Sequence, residues 1–448
     1  MASCCLAVAG RAADHPAWLV VGPWEARFEA SMVGNAAALR VVVPRLRITL
    51  DLDQQPPTSG SGAVAASSAA GATAMAAPSV EFPSIAKSIR IEDGELVVKR
   101  GDLTQTVAWH GELSQAGPGL WQGAFVATGT GVEFSATVTY EEDKRTWRIP
   151  ALTLRVDLAS WSALILPKFL PKDKTWSGSG AAVLEAALAW TPEGLDGTAA
   201  LTLRDGRVSS ADGKISADGI EATVRLVSLA RLISAPAQQI KVGSLTAGTL
   251  KLSNIIAGME MVSGGRVVVQ VAAEGFGGRL RVEPFTFDLA SPDVRLTMDV
   301  DGIDAQGVLA LFPEAPQGHG TLVGRVPLSY ENGDVRFGEG HLGLKPGTTG
   351  RVQFRNPGLF TQAWPRWLLG WGLLNRIEGG QEALLVNELS IALHPPGTPS
   401  WRAAQIRIMG MPADHPNKGP FTFEFNVNAP LEQFMNLGMK GNMQFDFK

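Results

Sequence analysis

The feature that most constrains the fold is a run of amphipathic segments between Arg279 and Leu328. In three consecutive segments, apolar residues alternate with polar ones, which is the period-two pattern of strands with one apolar and one solvated face. The phase of this alternation slips once, at Pro284, and the slip predicts a bulge or a sheet edge there. The segment therefore predicts a sheet whose apolar face must be covered by something.

A strand that runs into a short capped helix recurs along the chain. In the clearest copy Asp304 caps the helix, and Val308, Leu311 and Phe312 form its apolar stripe. Further copies span residues 154–165, 222–233 and 425–435. Because the first three copies recur at similar spacings, the pattern predicts a stacked, repeat-like architecture in which each unit is covered by its neighbours.

Pairs of an acidic residue followed by glycine interrupt the strands repeatedly, and Asp-Gly is a strong short hairpin signal. The pairs are Asp93-Gly94, Asp205-Gly206, Asp212-Gly213 and Glu339-Gly340. Turn signals at this frequency predict a long up-and-down meander, in which residues 88–99 form two short strands around Asp93-Gly94.

The predicted fold class is all-β and mainly antiparallel: a long, curled, repeat-like β-sheet with a hydrophobic groove and a few short amphipathic helices. Residues 54–79 are rich in Ala, Ser and Gly and contain no charged residue, which predicts a linker or a disordered loop. This segment separates an N-terminal β segment, residues 1–53, from a repeat-like β-groove domain, residues 80–448.

Charge and cysteine content restrict the function. The formal net charge is −4 and is well mixed, so no basic face predicts a nucleic-acid partner. Cys4 and Cys5 are adjacent and cannot join distant strands, and the thiol-free remainder suits an oxidising compartment. No apolar run reaches the roughly 18–20 residues that cross a membrane. The first residues make a poor signal peptide, so we expect an export signal or anchor upstream.

One longer helix is predicted outside the repeats, over Thr361–Arg376. Its tryptophans Trp364, Trp367 and Trp371 have the spacing of one helix face. Such a face either packs on the sheet or lies at a bilayer surface or partner, because Trp prefers the headgroup boundary. The sequence leaves both interpretations open.

No catalytic constellation is recognisable. The six histidines are scattered without metal-ligand spacing, and acidic pairs are explained by turns and caps. A glycine-rich stretch from Gly318 to Gly324 lacks the helix and the Lys-Ser/Thr of a phosphate loop. The sequence therefore predicts no enzyme, no metal and no cofactor.

The apolar face of the sheet is the candidate site instead. The candidate groove-lining residues are Leu280, Val282, Phe285, Phe287, Leu289, Val294, Leu296, Met298, Val300, Leu322 and Val326. If other elements pack on this face it is a core, and if it stays open it is a trough in which an acyl chain gains roughly 0.8 kcal/mol per buried methylene. The pattern alone does not separate the two.

Two stretches of residues carry a family resemblance. Residues 300–313 contain a strand end and a short helix, and residues 318–342 contain Gly320-Thr-Leu-Val-Gly-Arg-Val-Pro-Leu328. With the last strands, 387–412 and 419–435, this order resembles the YdbH-type proteins of the AsmA-like group, to which TamB and YhdP are related. The resemblance covers roughly residues 200–448. The chain departs from the family in lacking its N-terminal transmembrane anchor and in having Ala305 in place of a leucine.

The resemblance implies a β-groove that bridges the inner and outer membranes of a diderm envelope and carries phospholipid, without a cofactor. It also implies a periplasmic location with inner-membrane anchoring in the full-length family, and the three tryptophans become candidate contacts with a membrane surface or an outer-membrane lipoprotein. The alternative is a periplasmic scaffold or assembly factor for outer-membrane proteins that acts through exposed sheet edges. A carbohydrate-active enzyme would need clustered carboxylates, which the sequence does not show.

Overall fold

The computed structural model describes most of the chain. The described ranges are 8–10, 19–21, 24–33, 36–53, 86–168, 170, 175–248, 250–263, 265–288, 293–310, 316–331, 334–358, 360–362, 365–367, 370–395, 403–427 and 445–447. Of the residues that the structure describes, 71% are in strands and 8% in helices, and the strands form one large, mostly antiparallel sheet that is not closed. The predicted fold class is confirmed, because alternating apolar and polar residues can bury one face of a strand and solvate the other.

The chain divides into two compact units. The N-terminal unit comprises 1–211, 219–238 and 260–265, and the C-terminal unit comprises 212–218, 239–259 and 266–448. The division of the chain into segments 1–53, 54–79 and 80–448 stays a prediction, and the proposed linker lies outside the described residues.

The strands up to residue 210 belong to the N-terminal unit. They are β1 (Val8–Gly10), β2 (Leu19–Val21), β3 (Trp24–Val33), β4 (Ala36–Asp51), β5 (Ala86–Arg100), β6 (Leu103–Gly117), β7 (Leu120–Gly129), β8 (Val132–Glu141), β9 (Thr146–Asp157), β10 (Trp176–Thr191) and β11 (Gly194–Ser210). From β5 to β11 each strand pairs antiparallel with the next, which confirms the meander for this stretch. The pairing of β4 with β5 is parallel, so the strands on either side of residues 54–85 are neighbours in the sheet.

Two of the predicted turns are bulges inside continuous strands. Gly94 lies within β5, where the register with β6 shifts between Ile91 and Gly94. The hairpin prediction at Asp93-Gly94 is therefore wrong, because β5 is paired on both sides, with β4 and with β6. Asp205-Gly206 likewise lies within β11, at the register shift opposite Gly180. By contrast, Asp212-Gly213 does form a turn.

Four strands lie around the unit boundary, followed by those of the C-terminal unit. The first group is β12 (Ile215–Ser228), β13 (Ile233–Ser234), β14 (Gln238–Ala247) and β15 (Leu250–Ser263). The second group is β16 (Arg266–Gly275), β17 (Gly278–Asp288), β18 (Val294–Asp304), β19 (Gln317–His319), β20 (Thr321–Glu331), β21 (Asp334–Phe337), β22 (Gly340–Leu344), β23 (Gly350–Gln353), β24 (Leu384–Leu393), β25 (Ala404–Pro412), β26 (Phe421–Val427) and β27 (Phe445–Phe447).

The phase slip at Pro284 has a structural counterpart. Val269 of β16 pairs with Phe285 of β17, whereas Val271 pairs with Val282. One residue of β16 therefore lies opposite Glu283 and Pro284, which is the geometry of a bulge. The bulge keeps the apolar residues before and after it on one face of β17, as the sequence predicted.

Three α-helices are described: α1 (Leu158–Ile165), α2 (Ala305–Leu309) and α3 (Trp371–Glu378), with 3₁₀ turns at Leu166–Lys168 and Pro416–Lys418. Asp304 caps α2 by accepting from the backbone N–H of Gln306, as predicted, and Val308 of its stripe is buried. Leu311 and Phe312 lie outside the described residues. Among the residues that are described, no helix is long and apolar enough to cross a lipid bilayer.

Two helix predictions are wrong. The helix predicted after β12, within residues 222–233, is replaced by a turn at residues 229–232. Leu232 has a left-handed φ of 51°, which a right-handed helix does not contain. Among the described residues of the helix predicted over Thr361–Arg376, only those from Trp371 onwards are helical; they belong to α3, whose N-terminal boundary is Gly370 with a φ of 95°. A helix cannot continue through that conformation, so Trp367 precedes α3 and does not share a face with Trp371.

Within the described part of the chain, the largest apolar core lies in the C-terminal unit. Neighbouring strands place Leu342, Ile391 and Ile406 in one cross-strand row, and all three are buried. The aromatic rings of Phe354 and Phe423 pack on this core with centroids 5.3 Å apart. This part of the apolar face is therefore covered by the chain itself.

Candidate lipid-binding site

An apolar cavity of about 570 Å³ lies in the N-terminal unit and is partly open to solvent. Every side chain that lines it is apolar. The lining residues are Ile48, Leu52, Leu96, Val98, Val107, Trp109, Phe125, Val126, Ala127, Val132, Phe134, Ala136, Val138, Ile149, Leu154, Val156, Trp161 and Ile165. A cavity of this size and chemistry fits an apolar ligand chain and offers no titratable group for acid–base chemistry.

Period-two alternation places these side chains together. On β8 the residues Val132, Phe134, Ala136 and Val138 all line the cavity, whereas the residues between them belong to the other face. Leu154 and Val156 of β9 repeat the pattern. The meander thus assembles one apolar surface from successive strands.

Helix α1 covers part of this surface. Asp157 caps the helix, accepting from the backbone N–H of Ala159 at 3.1 Å and from the hydroxyl of Ser160 at 2.9 Å. Trp161 is buried on the lining, and its indole N–H donates to the carbonyl oxygen of Thr130 at 3.0 Å. The helix therefore presents an apolar side to the cavity while its polar groups are satisfied.

The C-terminal end of α1 is held by the neighbouring strands. Arg100 donates through Nη1 to the carbonyl oxygen of Leu164 at 2.6 Å, and its Nε lies 3.4 Å from Oδ1 of Asp53. Gln105 donates to the carbonyl oxygen of Ser160 at 3.3 Å. These contacts fix α1 over the sheet, and a cation at the end of the helix also complements its dipole.

Two strands near the unit boundary, β12 and β15, are only partly covered. Every residue of β12 and of β15 is at least partly exposed. On β12 the apolar residues Ile220, Val224 and Leu226 are half-buried, while the residues that alternate with them are exposed. An apolar row that is only half covered is what an open trough requires, whereas a packed core would bury it.

The groove-lining residues predicted from the sequence fall into two sets in the C-terminal unit. The half-buried ones are Val282, Phe285, Phe287, Val294, Leu296 and Met298, and the buried ones are Leu280, Val300, Leu322 and Val326. Leu289 lies outside the described residues. The register pairs Leu280 with Val300 and Met298 with Val326, so these residues do share one face. The buried set packs in the core that includes α2.

Two of the three predicted surface tryptophans, Trp367 and Trp371, do not share a helix face. Trp367 is 82% exposed in a turn, whereas Trp371 begins α3 with the guanidinium of Arg366 5.7 Å from its ring centre. Trp364 lies outside the described residues.

Two buried carboxylates hold the segment that covers the C-terminal core. Glu378 accepts from the backbone N–H groups of Phe360 at 2.7 Å and Thr361 at 3.0 Å, and from the Thr361 hydroxyl. Burial raises the pKa of the Glu378 carboxyl, but the hydrogen bonds from Thr361, Phe360 and Gly358 outweigh burial and hold the pKa below its ordinary value.

Glu382 is the second buried carboxylate. It accepts from the backbone N–H of Asp414 at 2.8 Å and contacts His415 Nδ1 at 3.1 Å and Arg376 Nη2 at 3.4 Å. Burial raises the pKa of the Glu382 carboxyl. The hydrogen bonds from Asp414 and His415, with the charges of His415 and Arg376, outweigh burial, so the pKa lies below its ordinary value. In the described part of the chain, no group of His, Cys, Asp and Glu side chains is arranged to hold a metal ion.

The sequence-based site list missed the cavity of the N-terminal unit. The sequence does carry a signal there, because its pattern predicts a strand that runs into a capped helix from Leu154 to Ile165. The alternation on β8 continues the same pattern. The sequence pattern does not indicate on which apolar face a covering helix leaves a cavity.

An open antiparallel sheet that carries an apolar cavity and half-covered apolar rows has the architecture of a protein that binds long apolar ligands. The chain belongs to the YdbH-like family: the model of that family, described as intermembrane phospholipid transport protein YdbH, matches residues 33–359. No curated protein and no solved structure matches the chain.

Family membership implies intermembrane phospholipid transport, a phospholipid ligand and a place in the cell envelope. The resemblance inferred from the sequence is confirmed, but the matched range differs. The strands from residue 33 onwards are included, whereas residues 360–448, which supplied part of the resemblance, follow the matched range.

Proposed function

We propose that this chain is a non-enzymatic conduit that carries phospholipid acyl chains along its apolar sheet face between the inner and outer membranes. The observation that supports this proposal best is the cavity of the N-terminal unit, which is lined by apolar side chains alone. Each methylene transferred from water to such a surface contributes roughly 0.8 kcal/mol, so a chain of modest length is held without any polar contact.

The proposal also gives the half-buried apolar rows a role, which is to contact the acyl chains. Phe285 and Phe287 have ring centres 6.3 Å apart on one face of β17, and together with Leu296 they form candidate groove-lining positions in the C-terminal unit. The lipid headgroup would remain in solvent while the acyl chains contact these rows, because no charged group has to be desolvated in that arrangement.

Contact with a membrane surface or with an outer-membrane lipoprotein is part of the same proposal. Trp367 is the candidate contact, since an exposed indole next to Arg366 suits the headgroup region. In this account the protein works in the periplasm, attached to the inner membrane as in the full-length family.

A charge placed in the cavity tests the proposal. Phe134→Asp puts a carboxylate among the lining residues, whereas Ser135→Asp puts the same charge on the exposed side of the same strand. Loss of contact with about two methylenes costs roughly 1.6 kcal/mol, which corresponds to about tenfold weaker binding. We expect Phe134→Asp to co-purify at least about tenfold less phospholipid than Ser135→Asp.

The measurement is the amount of phospholipid extracted per mole of folded protein, with circular dichroism as the check on folding. Equal phospholipid in the two variants would contradict the conduit. The alternative of a scaffold for outer-membrane proteins, acting through sheet edges, would then explain the exposed apolar rows better.

A further inference from the structure

A row of aromatic residues closes one end of the apolar cavity in the N-terminal unit. On β8 the lining runs from Val132 to Val138, and the next side chain on the same face is Tyr140. The sheet register places Trp121, Tyr140 and Trp147 opposite one another on β7, β8 and β9. Trp121 and Tyr140 are buried, and the rings of Tyr140 and Trp147 stack with centroids 4.4 Å apart. These three residues, the aromatic row, therefore limit the cavity beyond Val138.

Helix α1 closes the opposite end of the cavity, beside Val132. Val132 and Val156 lie opposite each other on β8 and β9, and both pack in one cluster with Trp161 of the helix. Trp161 and Ile165 also line the cavity. The cavity is therefore bounded at both ends of the strands that form it, by α1 and by the aromatic row.

The apolar surface of the cavity continues sideways, towards β10 and β11. One cross-strand row joins Phe134, Leu154, Leu184 and Leu201 on successive strands. Phe134 and Leu154 line the cavity, Leu184 is half-buried, and Leu201 is 44% exposed. The row thus passes from the cavity to solvent without a charged residue, and it offers an apolar ligand a way in from the side.

The dimensions of the cavity fit one acyl chain. At about 3.3 Å per residue, the stretch from Val132 to Val138 is roughly 20 Å long. An extended chain of single bonds of about 1.5 Å advances roughly 1.3 Å per carbon, so about 16 carbons span that length. If a methylene takes up about the volume of a water molecule, roughly 30 Å³, 16 carbons need about 480 Å³ and two such chains about 960 Å³. The cavity volume of about 570 Å³ accommodates the first but not the second.

We propose that the cavity holds a single acyl chain of about 14–18 carbons, which lies along β8 between the aromatic row and α1. The carboxyl or ester end of the chain leaves through the open side, because both strand ends of the cavity are closed. The second acyl chain of a phospholipid lies outside, on the row of Leu184 and Leu201. This inference rests on the proposed function and adds to it the number and length of the chains that the cavity takes.

A chain-length series tests the proposal on the wild-type chain. The probes are saturated fatty acids, and the measurement is the dissociation constant of each, from displacement of a fluorescent fatty acid. Each added methylene should strengthen binding about three- to fourfold until the cavity is full, at about 14–18 carbons, and further methylenes should add little. A break in the series at that length is the expected result.

Two variants should move the break in opposite directions. Ala136→Leu adds carbon atoms to the lining and should move the break about three carbons towards shorter chains, whereas Leu154→Ala removes them and should move it about as far towards longer chains. The matched control is Thr137→Leu, which adds an apolar side chain on the exposed side of β8 and should leave the break in place. Circular dichroism checks that each variant is folded.

The outcomes separate this inference from the proposed function. A wild-type series without a break up to about 22 carbons, or a break that neither Ala136→Leu nor Leu154→Ala moves, would overturn the single-chain cavity and leave the conduit standing. Phospholipid retained by a chain that binds no fatty acid would have the same meaning. If the wild-type chain binds no fatty acid and retains no phospholipid, the conduit itself is refuted.

Discussion

Glu378 should control the stability of the segment that covers the C-terminal core. The side chain is 0% exposed and accepts hydrogen bonds from two backbone N–H groups and from the Thr361 hydroxyl. A hydrogen bond to a charged group contributes about 1.5–3 kcal/mol, but a glutamine retains one acceptor oxygen. Glu378→Gln should therefore lower the free energy of unfolding by about 1–3 kcal/mol at neutral pH.

The pH dependence of the same variant gives an independent check. The folded-state pKa of Glu378 lies below its unfolded value, so the carboxylate stabilises the fold above the unfolded pKa. This contribution is lost as the pH falls through the folded-state pKa, in the range below about 4.5. The difference in stability between wild type and Glu378→Gln should therefore shrink as the solution is acidified from pH 6 towards pH 3.

Stability is measured by urea unfolding, and hydrogen exchange of residues 354–380 is measured as well. Exchange reports the local stability of this segment even where the whole chain does not unfold in one step. The matched control is Glu388→Gln, which removes a surface ion pair with Arg407 at 3.5 Å. Exposed pairs contribute about 0–1 kcal/mol. If the two variants behaved alike, or if the effect of Glu378→Gln grew with acidification, the reasoning would be refuted.

Two further substitutions test the N-terminal unit. Asp157→Ala removes the cap of α1 and should destabilise that helix by about 1 kcal/mol. The measurement is hydrogen exchange of residues 158–165, which should become faster. Unchanged exchange would contradict the assigned cap. Gly94→Ala would place a methyl group against the indole of Trp109, so we expect a loss of about 1–3 kcal/mol in urea unfolding. Gly117→Ala, at the end of β6, serves as the control for glycine replacement, because its added methyl group meets no described atom within 4 Å. Equal effects of the two glycine changes would contradict the contact with Trp109.

Local pattern predicted much of the sheet. Alternation identified β17 and β18, the phase slip located the bulge at Pro284, and Asp304 marked the start of α2. Each of these features depends on residues that are close in sequence. The prediction was correct there because the period of the side chains and the capping oxygen act locally.

The failures depend on distant neighbours. Asp93-Gly94 is a good turn pair, yet β4 pairs with β5 across a long sequence interval and keeps the strand continuous. The helix before Trp371 fails at Gly370, whose left-handed conformation does not follow from periodicity. The same alternation of apolar and polar residues also occurs in a packed core and in an open trough. Phe354 and Ile377 cover the core of the C-terminal unit, while α1 leaves a cavity in the N-terminal unit.

The central claim is that the apolar face binds lipid. Native mass spectrometry of the wild-type chain, purified without added lipid and paired with lipid extraction, tests it most directly. The conduit predicts one or more co-purifying phospholipids on the folded chain. A folded chain that has the mass of the polypeptide alone, with no phospholipid in the extract, would contradict it.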